Sequence, residues 1–292
     1  MPATTLPTAA GGKGAFDVAE RAVRAAGAVI VAAFPEMTRP IAQRTVHVSN
    51  KTGWNNLVTD VDLAAEKAIL NVLDSAFPGD AILAEESGAR DGTSGYSWCI
   101  DPLDGTRNFA SGIPHLGVNL ALSHGDRIVL ALTYDPIRDE LFHAIEGGGA
   151  FLNGEPISIS EQTDLHECIL GTDMSYKAEQ GKLLLSMLAD LWPGLQSVGM
   201  MGSAALGLAY AAAGRFEIYV NHHVQPWDIA PGLLLIREAG GIATDLRGDV
   251  AYPASGCIIA ASPEAHANFM RATESSAWRS SQPQAHPPQF GS

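Results

Sequence analysis

The chain has 292 residues, and 18 Lys and Arg residues against 32 Asp and Glu residues give a net charge of −14. A chain of this length suits one large domain or two closely packed halves with a substantial core. The acidic balance argues against a nucleic-acid partner, because affinity for phosphate backbones comes from Lys and Arg patches.

Other features of the sequence favour a soluble cytoplasmic protein. We find no apolar run of about 18 residues and therefore expect no membrane span. Residues 1–14 lack a basic segment followed by an apolar one, so a signal peptide is not expected. Cys99, Cys168 and Cys257 are widely spaced with no CxxC pattern, which is typical of buried thiols in a reducing compartment.

Both ends of the chain have a composition that is typical of disorder. Residues 1–14 are rich in Ala, Thr, Pro and Gly, and residues 277–292 are rich in Ser, Gln and Pro. Such segments bury too little apolar surface to offset the entropy lost on ordering, so we predict disordered tails. Between them we expect an N-terminal α+β half over residues 15–160 and a C-terminal α/β half over residues 161–276.

The N-terminal half begins with two predicted helices. Apolar residues recur at helical spacing over Phe16–Phe34, and Pro35 is expected to end this helix. Thr59 has the character of an N-cap for a second helix, which Pro78-Gly79 should end.

The pattern then changes from β-prone runs to alternating elements. Short apolar runs separated by turn residues over Leu116–Ile159 predict an antiparallel meander. The candidate helices and strands that follow are Gln180–Leu191, Gly202–Ala213, Phe216–Val220, Asp228–Ala239 and Cys257–Ala261. An antiparallel half followed by an α/β half predicts a layered α/β sandwich.

Three segments place carboxylates after a predicted strand or at a predicted helix start. They are Glu85-Glu86, the string Asp101-Pro102-Leu103-Asp104-Gly105-Thr106, and Asp228. Pro102 fixes φ and predicts a sharp turn, after which Asp101 and Asp104 can point to one centre with the Leu103 carbonyl. Hard oxygen ligands of this kind suit Mg²⁺.

The end of the same string favours phosphate binding. A helix that begins at Gly105 and Thr106 would offer free N–H groups to a phosphate, and the Thr106 hydroxyl could position a water molecule. Asp-Pro and Asp-Gly are each common in surface turns. The whole string D-P-[IL]-D-G-T should nevertheless arise by chance in such a chain with a probability on the order of 10⁻⁵. We therefore interpret it as functional.

Four motifs in order resemble the inositol monophosphatase family of Mg²⁺-dependent, lithium-sensitive phosphatases, which share a fold with fructose-1,6-bisphosphatases. The matching segments are Lys51 with Asn56–Thr59 and Asp62, Ala84–Ser87, Asp101–Thr106 with Asn108-Phe109, and Trp227-Asp228 with Arg237–Gly241. The similarity extends from about Phe16 to about Ala272. It implies an α/β (α+β) fold, a layered αβαβα sandwich of the inositol monophosphatase and fructose-1,6-bisphosphatase type.

The resemblance also implies a site for two to three Mg²⁺ ions, with Mn²⁺ as a substitute and Li⁺ as an inhibitor. The metal ligands would be Glu85, Asp101, the Leu103 carbonyl, Asp104 and Asp228. Carboxylates crowded into one pocket repel one another, and divalent cations resolve this repulsion. Water activated by the metal would attack phosphorus directly, with no phosphoenzyme.

Catalysis would depend on Asp62, Glu85 and Thr106. Asp62 would hydrogen-bond the Thr106 hydroxyl, which helps to orient and deprotonate the attacking water. Glu86 would support the metal ligands without binding the metal itself. Lys51 would contact the phosphate or a metal-bound water, although a solvated surface Lys is the alternative interpretation.

The resemblance also implies which residues bind the substrate. The backbone N–H groups of Gly105 and Thr106 would bind the phosphate. The alcohol portion of the substrate would face Gly202, Ser203, Ala204, Asn221 and Asp228. Asn221 stands where the family commonly has a Glu that hydrogen-bonds inositol, and the loss of charge-assisted strength is typically about 1 kcal/mol. His222-His223 either contacts the substrate or forms an exposed loop pair, and we favour the exposed pair.

The implied substrate is a small phosphorylated polyol, with inositol 1-phosphate as the first candidate. Histidinol phosphate, fructose 1,6-bisphosphate and a 3′-phosphonucleotide are alternatives within the family. A catalytically lapsed regulatory homologue is a further alternative, although every metal-ligand position holds the expected residue type. The resemblance also implies a homodimer.

Overall fold

The helices and strands follow one another in an order that builds two sheets. The computed structural model describes residues 3–9, 11–52 and 56–281, except the side chains at 51, 52 and 56. The helices are α1 (Ala15–Met37), α2 (Asp60–Ala76), α3 (Thr106–Ser111), α4 (Ala178–Leu191), α5 (Ala204–Ala212), α6 (Pro226–Glu238), α7 (Pro263–Ala272) and α8 (Ala277–Ser280). The strands are β1 (Val48–Thr52), β2 (Asn56–Thr59), β3 (Ala81–Ala84), β4 (Gly88–Arg90), β5 (Tyr96–Asp104), β6 (Gly117–His124), β7 (Arg127–Asp135), β8 (Glu140–Ile145), β9 (Gly149–Leu152), β10 (Glu155–Ile157), β11 (Ile169–Thr172), β12 (Ser197–Met200), β13 (Ile218–Asn221), β14 (Ile242–Thr244) and β15 (Ile258–Ala261).

The larger sheet contains the predicted antiparallel meander. Its strand order is β10-β9-β8-β7-β6-β5-β3-β4, and the smaller sheet has the order β12-β11-β13-β15-β14. From β5 to β10 each strand runs antiparallel to its neighbour. In contrast, β3 runs parallel to β5, with Ala84 opposite Ile100. The residues that follow Ala84 and Ile100 therefore emerge side by side at the same edge of the sheet.

Helices cover both faces of each sheet, which confirms the layered sandwich. Helices α1 and α2 lie on one face of the larger sheet, α5 and α6 lie between the sheets, and α4, α7 and α8 lie beyond the smaller sheet. Along β5, Trp98 and Ile100 pack in the core beneath α1 and α2, whereas Cys99 packs between the sheets. This alternation is the period of two expected of a strand buried on both faces.

Three element boundaries differ from the predictions for local reasons. Helix α1 continues past Pro35 to Met37. Pro35 lacks only the N–H that would bond the Val31 carbonyl, and Val31 is 44% exposed. Helix α5 begins at Ala204, because Gly202 has a φ of +80° and lies outside the helix. The last strand of the meander is β10, which follows a tight turn at Asn153-Gly154 with φ values of 50° and 86°.

The two predicted tails make contacts that composition does not reveal. The Thr4 N–H donates to the Glu146 carbonyl at 2.7 Å, and Ala9 is buried. At the other end Trp278 is completely buried, while residues 282–292 lie outside the described residues. A low average apolar content conceals a single large side chain, and one buried Trp can order a short helix.

The predicted boundary between residues 160 and 161 falls between β10 and β11, and the division into two halves stays a prediction. The core between the sheets draws residues from both sides of this boundary. Within the described part of the chain, no helix is both long and apolar enough to cross a membrane.

Candidate metal centre

Two of the acidic segments meet where the parallel strands β3 and β5 run side by side. Glu85 directly follows β3, and its N–H donates to the Ile100 carbonyl at 3.1 Å. Its side chain hydrogen-bonds Asp101, and burial followed by the charge of Glu85 raises the pKa of Asp101. The parallel pairing therefore brings together carboxylates that are well separated in sequence.

Asp101 and Asp104 reach the same centre through a β-bulge, not through the predicted sharp turn. Strand β5 continues through Pro102, and its register against β6 shifts between Asp101, opposite Asn119, and Asp104, opposite Gly117. Residues three apart in a regular strand point to opposite faces, and one extra residue corrects this. A bulge also tolerates the missing N–H of Pro102.

The third acidic segment, Asp228, comes from the C-terminal part of the chain. Asp228 lies in the first turn of α6, where the Gln225 N–H donates to its Oδ2 at 2.7 Å. Carboxylate oxygens of Asp101, Asp104 and Asp228 all lie within 4.8 Å of one another. Three acidic groups this close form a centre that could hold a metal ion.

Asp104 is held by the start of helix α5. The Ser203 hydroxyl and the Ala205 N–H each donate to Asp104 Oδ2 at 2.6 Å. Ser203 also caps the helix by accepting the Leu206 N–H at 3.2 Å. A carboxylate at a helix N-terminus is stabilised by the helix dipole. The Ser203 side chain, predicted to face the substrate, is thus engaged with Asp104, and the neighbouring Ala204 is buried.

Burial and mutual repulsion make the carboxyl groups reluctant to ionise together. Burial, followed by the charges of neighbouring carboxylates, raises the pKa of Asp101 and of Asp228 well above 3.8. Burial raises the pKa of Asp104 to about 7, although the donors at Ser203 and Ala205 lower it. A divalent cation relieves such repulsion, and the hard oxygen donors of this cluster fit Mg²⁺.

Helix α2 orients the Thr106 hydroxyl. Thr106 donates to Asp62 Oδ1 at 3.0 Å, and the Leu103 carbonyl lies 3.2 Å from the same hydroxyl. The other oxygen of Asp62 accepts the Thr59 N–H at 2.8 Å, which closes a capping box at the predicted N-cap. Burial raises the pKa of Asp62, while the hydrogen bonds from Thr59 and Thr106 lower it.

Glu66 is a residue of this site that sequence reasoning missed. It lies one helical turn after Asp62 in α2 and is 3% exposed. Its two carboxylate oxygens accept the backbone N–H groups of Glu86 at 2.8 Å and Ser87 at 2.9 Å. Glu66 therefore fixes the turn that carries Glu85. The available signal was an acidic residue on the apolar stripe of the helix, since Glu is rarely buried unless it is paired.

Asn119 was also missed, and it fixes the start of helix α6. Its amide group donates to the carbonyls of Trp227 at 3.0 Å and Asp228 at 2.9 Å. Its carbonyl oxygen accepts the Thr133 hydroxyl at 2.7 Å. The sequence did contain a signal for this contact, because Asn119 on β6 and Thr133 on β7 are polar residues within apolar strands.

Asp173 was missed as well, and it holds the loop before α5. Its carboxylate accepts the Gly202 N–H and the Tyr219 hydroxyl, the latter at 2.6 Å. Burial raises the pKa of Asp173. Nearby, the Arg107 guanidinium lies 4.5 Å from the centre of the Tyr176 ring. Burial, together with the negative charges of the acidic cluster, raises the pKa of Tyr176 to about 12.

The remaining predicted residues are placed as follows. Gly105 precedes α3 with a φ of +99°, and a Cβ there would lie 3.1 Å from the His115 carbonyl. The Asn221 amide group is already hydrogen-bonded to nearby residues, because it donates to the Tyr219 hydroxyl at 3.2 Å and accepts the His223 N–H at 3.1 Å. The side chain of Lys51 lies outside the described residues.

The preferred interpretation of His222-His223 as an exposed loop pair is wrong for His222. This residue is 1% exposed, and its Nε2 lies 2.9 Å from the Ser281 carbonyl. The contact joins residues far apart in sequence, so no local pattern could have predicted it.

Comparison with known proteins defines the class to which this fold and this site belong. The family model described as "Inositol monophosphatase family" matches residues 15–277. The chain belongs to the inositol monophosphatase family, which confirms the resemblance recognised from the motifs.

Individual relatives differ in what their names say. The chain is 40% identical over 252 residues to a protein of Pasteurella multocida named Nus factor SuhB, covering 85% of this chain and 91% of the relative. The structure of extragenic suppressor protein suhB from Bartonella henselae matches with a TM-score of 0.83 and 36% identity, over 88% of this chain and 97% of that one. The IMPase of Thermotoga maritima matches with a TM-score of 0.77 and 32% identity, over 89% and 96%.

Proposed function

We propose that this protein is a Mg²⁺-dependent phosphomonoesterase that hydrolyses a small phosphorylated polyol, with inositol 1-phosphate as the first candidate. The observation that carries the proposal is the meeting of Asp101, Asp104 and Asp228 within 4.8 Å, with the hydrogen-bonded pair of Asp62 and Thr106 beside Leu103. Membership of the family supports the same chemistry.

The acidic cluster would hold the metal. The groups available for two to three Mg²⁺ ions are Glu85, Asp101, the Leu103 carbonyl, Asp104 and Asp228. When bound, Mg²⁺ would neutralise the carboxylates, attract the phosphate and lower the pKa of a water molecule. We expect Mn²⁺ to substitute and Li⁺ to inhibit, as in the family.

Asp62 and Thr106 would handle the proton of the attacking water. The Thr106 hydroxyl already donates to Asp62 at 3.0 Å, so it can pass its own proton on as it accepts one from water. The burial that raises the pKa of Asp62 makes this carboxylate a better proton acceptor. Water would attack phosphorus as the bond to the leaving oxygen breaks, with no phosphoenzyme, and the departing alkoxide would take a proton from solvent. The N–H groups of Gly105 and Thr106 would bind the phosphate.

The residues on the substrate side of the site would determine which alcohol is released. Gly202, Ser203, Ala204 and Asn221 are proposed to face the substrate, as predicted from the resemblance. Because the Asn221 amide is already hydrogen-bonded, histidinol phosphate, fructose 1,6-bisphosphate and a 3′-phosphonucleotide stay as alternative substrates.

A panel of phosphate monoesters tests the proposal. Phosphate release should require Mg²⁺ or Mn²⁺, stop with a chelator and decrease with Li⁺. Rapid-quench experiments with radiolabelled substrate should trap no phosphorylated protein. Metal-independent hydrolysis would contradict the proposed role of the acidic cluster, and a trapped phosphoenzyme would contradict direct attack by water.

The relatives named Nus factor SuhB favour a second candidate function, a Nus-factor role with or without catalysis. The presence of every predicted metal-ligating carboxylate argues against a lapsed enzyme. If the full panel releases no phosphate in the presence of Mg²⁺, the second candidate is favoured. A homodimer, a cytoplasmic location and the absence of a nucleic-acid partner stay predictions, the last resting on the net charge of −14.

A further inference from the structure

A short segment beyond the family match packs against the loop that leads to Asp228. The family model ends at residue 277, and Trp278 and Ser281 follow it. The Trp278 ring is completely buried, with its centre 5.9 Å from that of His222 and 6.2 Å from that of Phe269. This Trp therefore packs beside both the loop and helix α7.

His222 is joined to the same segment by a directed hydrogen bond. Its Nε2 lies 2.9 Å from both the carbonyl and the hydroxyl oxygen of Ser281. A carbonyl can only accept, so Nε2 carries the proton and donates it. The Ser281 hydroxyl in turn donates to the Trp278 carbonyl at 2.8 Å. Within the described chain His222 Nδ1 has no hydrogen-bond partner, so the contact with Ser281 orients the ring.

The loop that contains His222 also sets the start of helix α6. The Val224 N–H donates to the Gly256 carbonyl at 3.1 Å, and the Gln225 N–H donates to Asp228 Oδ2 at 2.7 Å. A displacement of this loop would move the N–H group that orients the Asp228 carboxylate. In active sites a misplacement of about 1 Å can lower a rate about 100-fold.

We propose that Trp278 and Ser281 position the metal ligand Asp228 by holding His222 and its loop in place. The segment is anchored independently of that loop, because the Arg279 guanidinium donates to the carbonyls of Leu246 and Met270, the latter at 3.1 Å. The segment thus connects the outer helical layer to the metal centre. The role in metal binding rests on the proposed function, whereas the role in ordering the loop does not.

Two chains of different length test the proposal directly. One ends at Ser281 and the other at Ser276, and both are compared with the full chain in the metal-free state. Hydrogen–deuterium exchange over residues 222–225 should be about tenfold faster in the shorter chain and unchanged in the longer one. Mg²⁺ binding measured by titration calorimetry should weaken about tenfold in the shorter chain.

Point variants keep the test decisive where the shorter chain fails to fold. His222→Phe keeps a ring against Trp278 but removes the hydrogen bond to Ser281. Phe269→Leu is the matched control, because it shortens a buried side chain of the same core and leaves the hydrogen bond between His222 and Ser281 in place. All measurements are made well below the Tm of every variant.

The proposal predicts faster exchange at Val224 and weaker Mg²⁺ binding in His222→Phe, with neither change in Phe269→Leu. Wild-type exchange and Mg²⁺ binding in His222→Phe would overturn it, as would equal changes in Phe269→Leu. If the unmodified protein hydrolyses no phosphate ester, the proposed function fails, but the exchange measurement still decides whether this segment orders the loop.

Discussion

Replacing Glu66 with Gln tests whether helix α2 sets the position of Glu85. The Glu66 carboxylate accepts the N–H groups of Glu86 at 2.8 Å and Ser87 at 2.9 Å. Gln keeps one acceptor and turns an NH₂ group toward the other N–H. Because a hydrogen bond to a charged group contributes about 1.5–3 kcal/mol, we expect the free energy of unfolding to fall by about 2–3 kcal/mol.

Urea-induced unfolding of the metal-free protein at neutral pH measures this loss. Lys67→Gln is the control, since this exposed position on the same helix should change the free energy by less than about 0.5 kcal/mol. The displaced Glu85 should also raise the Mg²⁺ concentration for half-maximal phosphatase activity about tenfold. A Glu66→Gln protein with wild-type unfolding and wild-type Mg²⁺ dependence would refute the reasoning.

Four further predictions concern the carboxylates and the loop beside them. Asp101→Asn should lower kcat by a factor on the order of 10³, which steady-state kinetics measures. It should not lower the Tm of the metal-free protein in calorimetry, because it removes one of several carboxylates that repel one another. A variant that is still active, or one that is unfolded, would contradict the role of Asp101. The pKa of about 7 at Asp104 makes protons compete with Mg²⁺, so calorimetry should find that the affinity rises about tenfold from about pH 6 to 8 and then levels off. An affinity that does not change between about pH 6 and 8 would contradict the assignment. Since this pKa lies above 3.8, the protonated Asp104 stabilises the metal-free fold at low pH, and that contribution is lost as the pH rises from about 4 through 7. Urea titrations should show a smaller loss in Asp104→Asn than in the unmodified protein, because the raised pKa values of Asp101 and Asp228 act in the same direction. Gly202→Ala should cost about 1–3 kcal/mol in urea unfolding, because φ is +80° and the added Cβ would lie 2.9 Å from Asn108 Nδ2; an unchanged midpoint would exclude this strain.

Signals that act between neighbours in the chain were informative. Thr59 predicted the start of α2, and the same capping interaction proved to orient Asp62 toward Thr106. The turn at Asn153-Gly154 was also recognisable from its residue types, which favour positive φ angles, and hydrogen bonds that Asn153 makes with Leu141 and Asp139 hold it in place. In contrast, the end of α1 was misjudged, since a Pro near the last turn removes only one hydrogen bond.

The sequence by itself determined the family, the layered α/β architecture and the acidic chemistry of the centre, because these depend on residue types and on patterns within short segments. The tertiary structure decided how Asp101 and Asp104 come to share one face, through a one-residue shift in register against β6. It also decided that Glu66 holds the turn of Glu85 and that Ser281 holds His222. Such contacts join groups that are distant along the chain, and their free energy depends on strand register and helix packing, which no local pattern encodes.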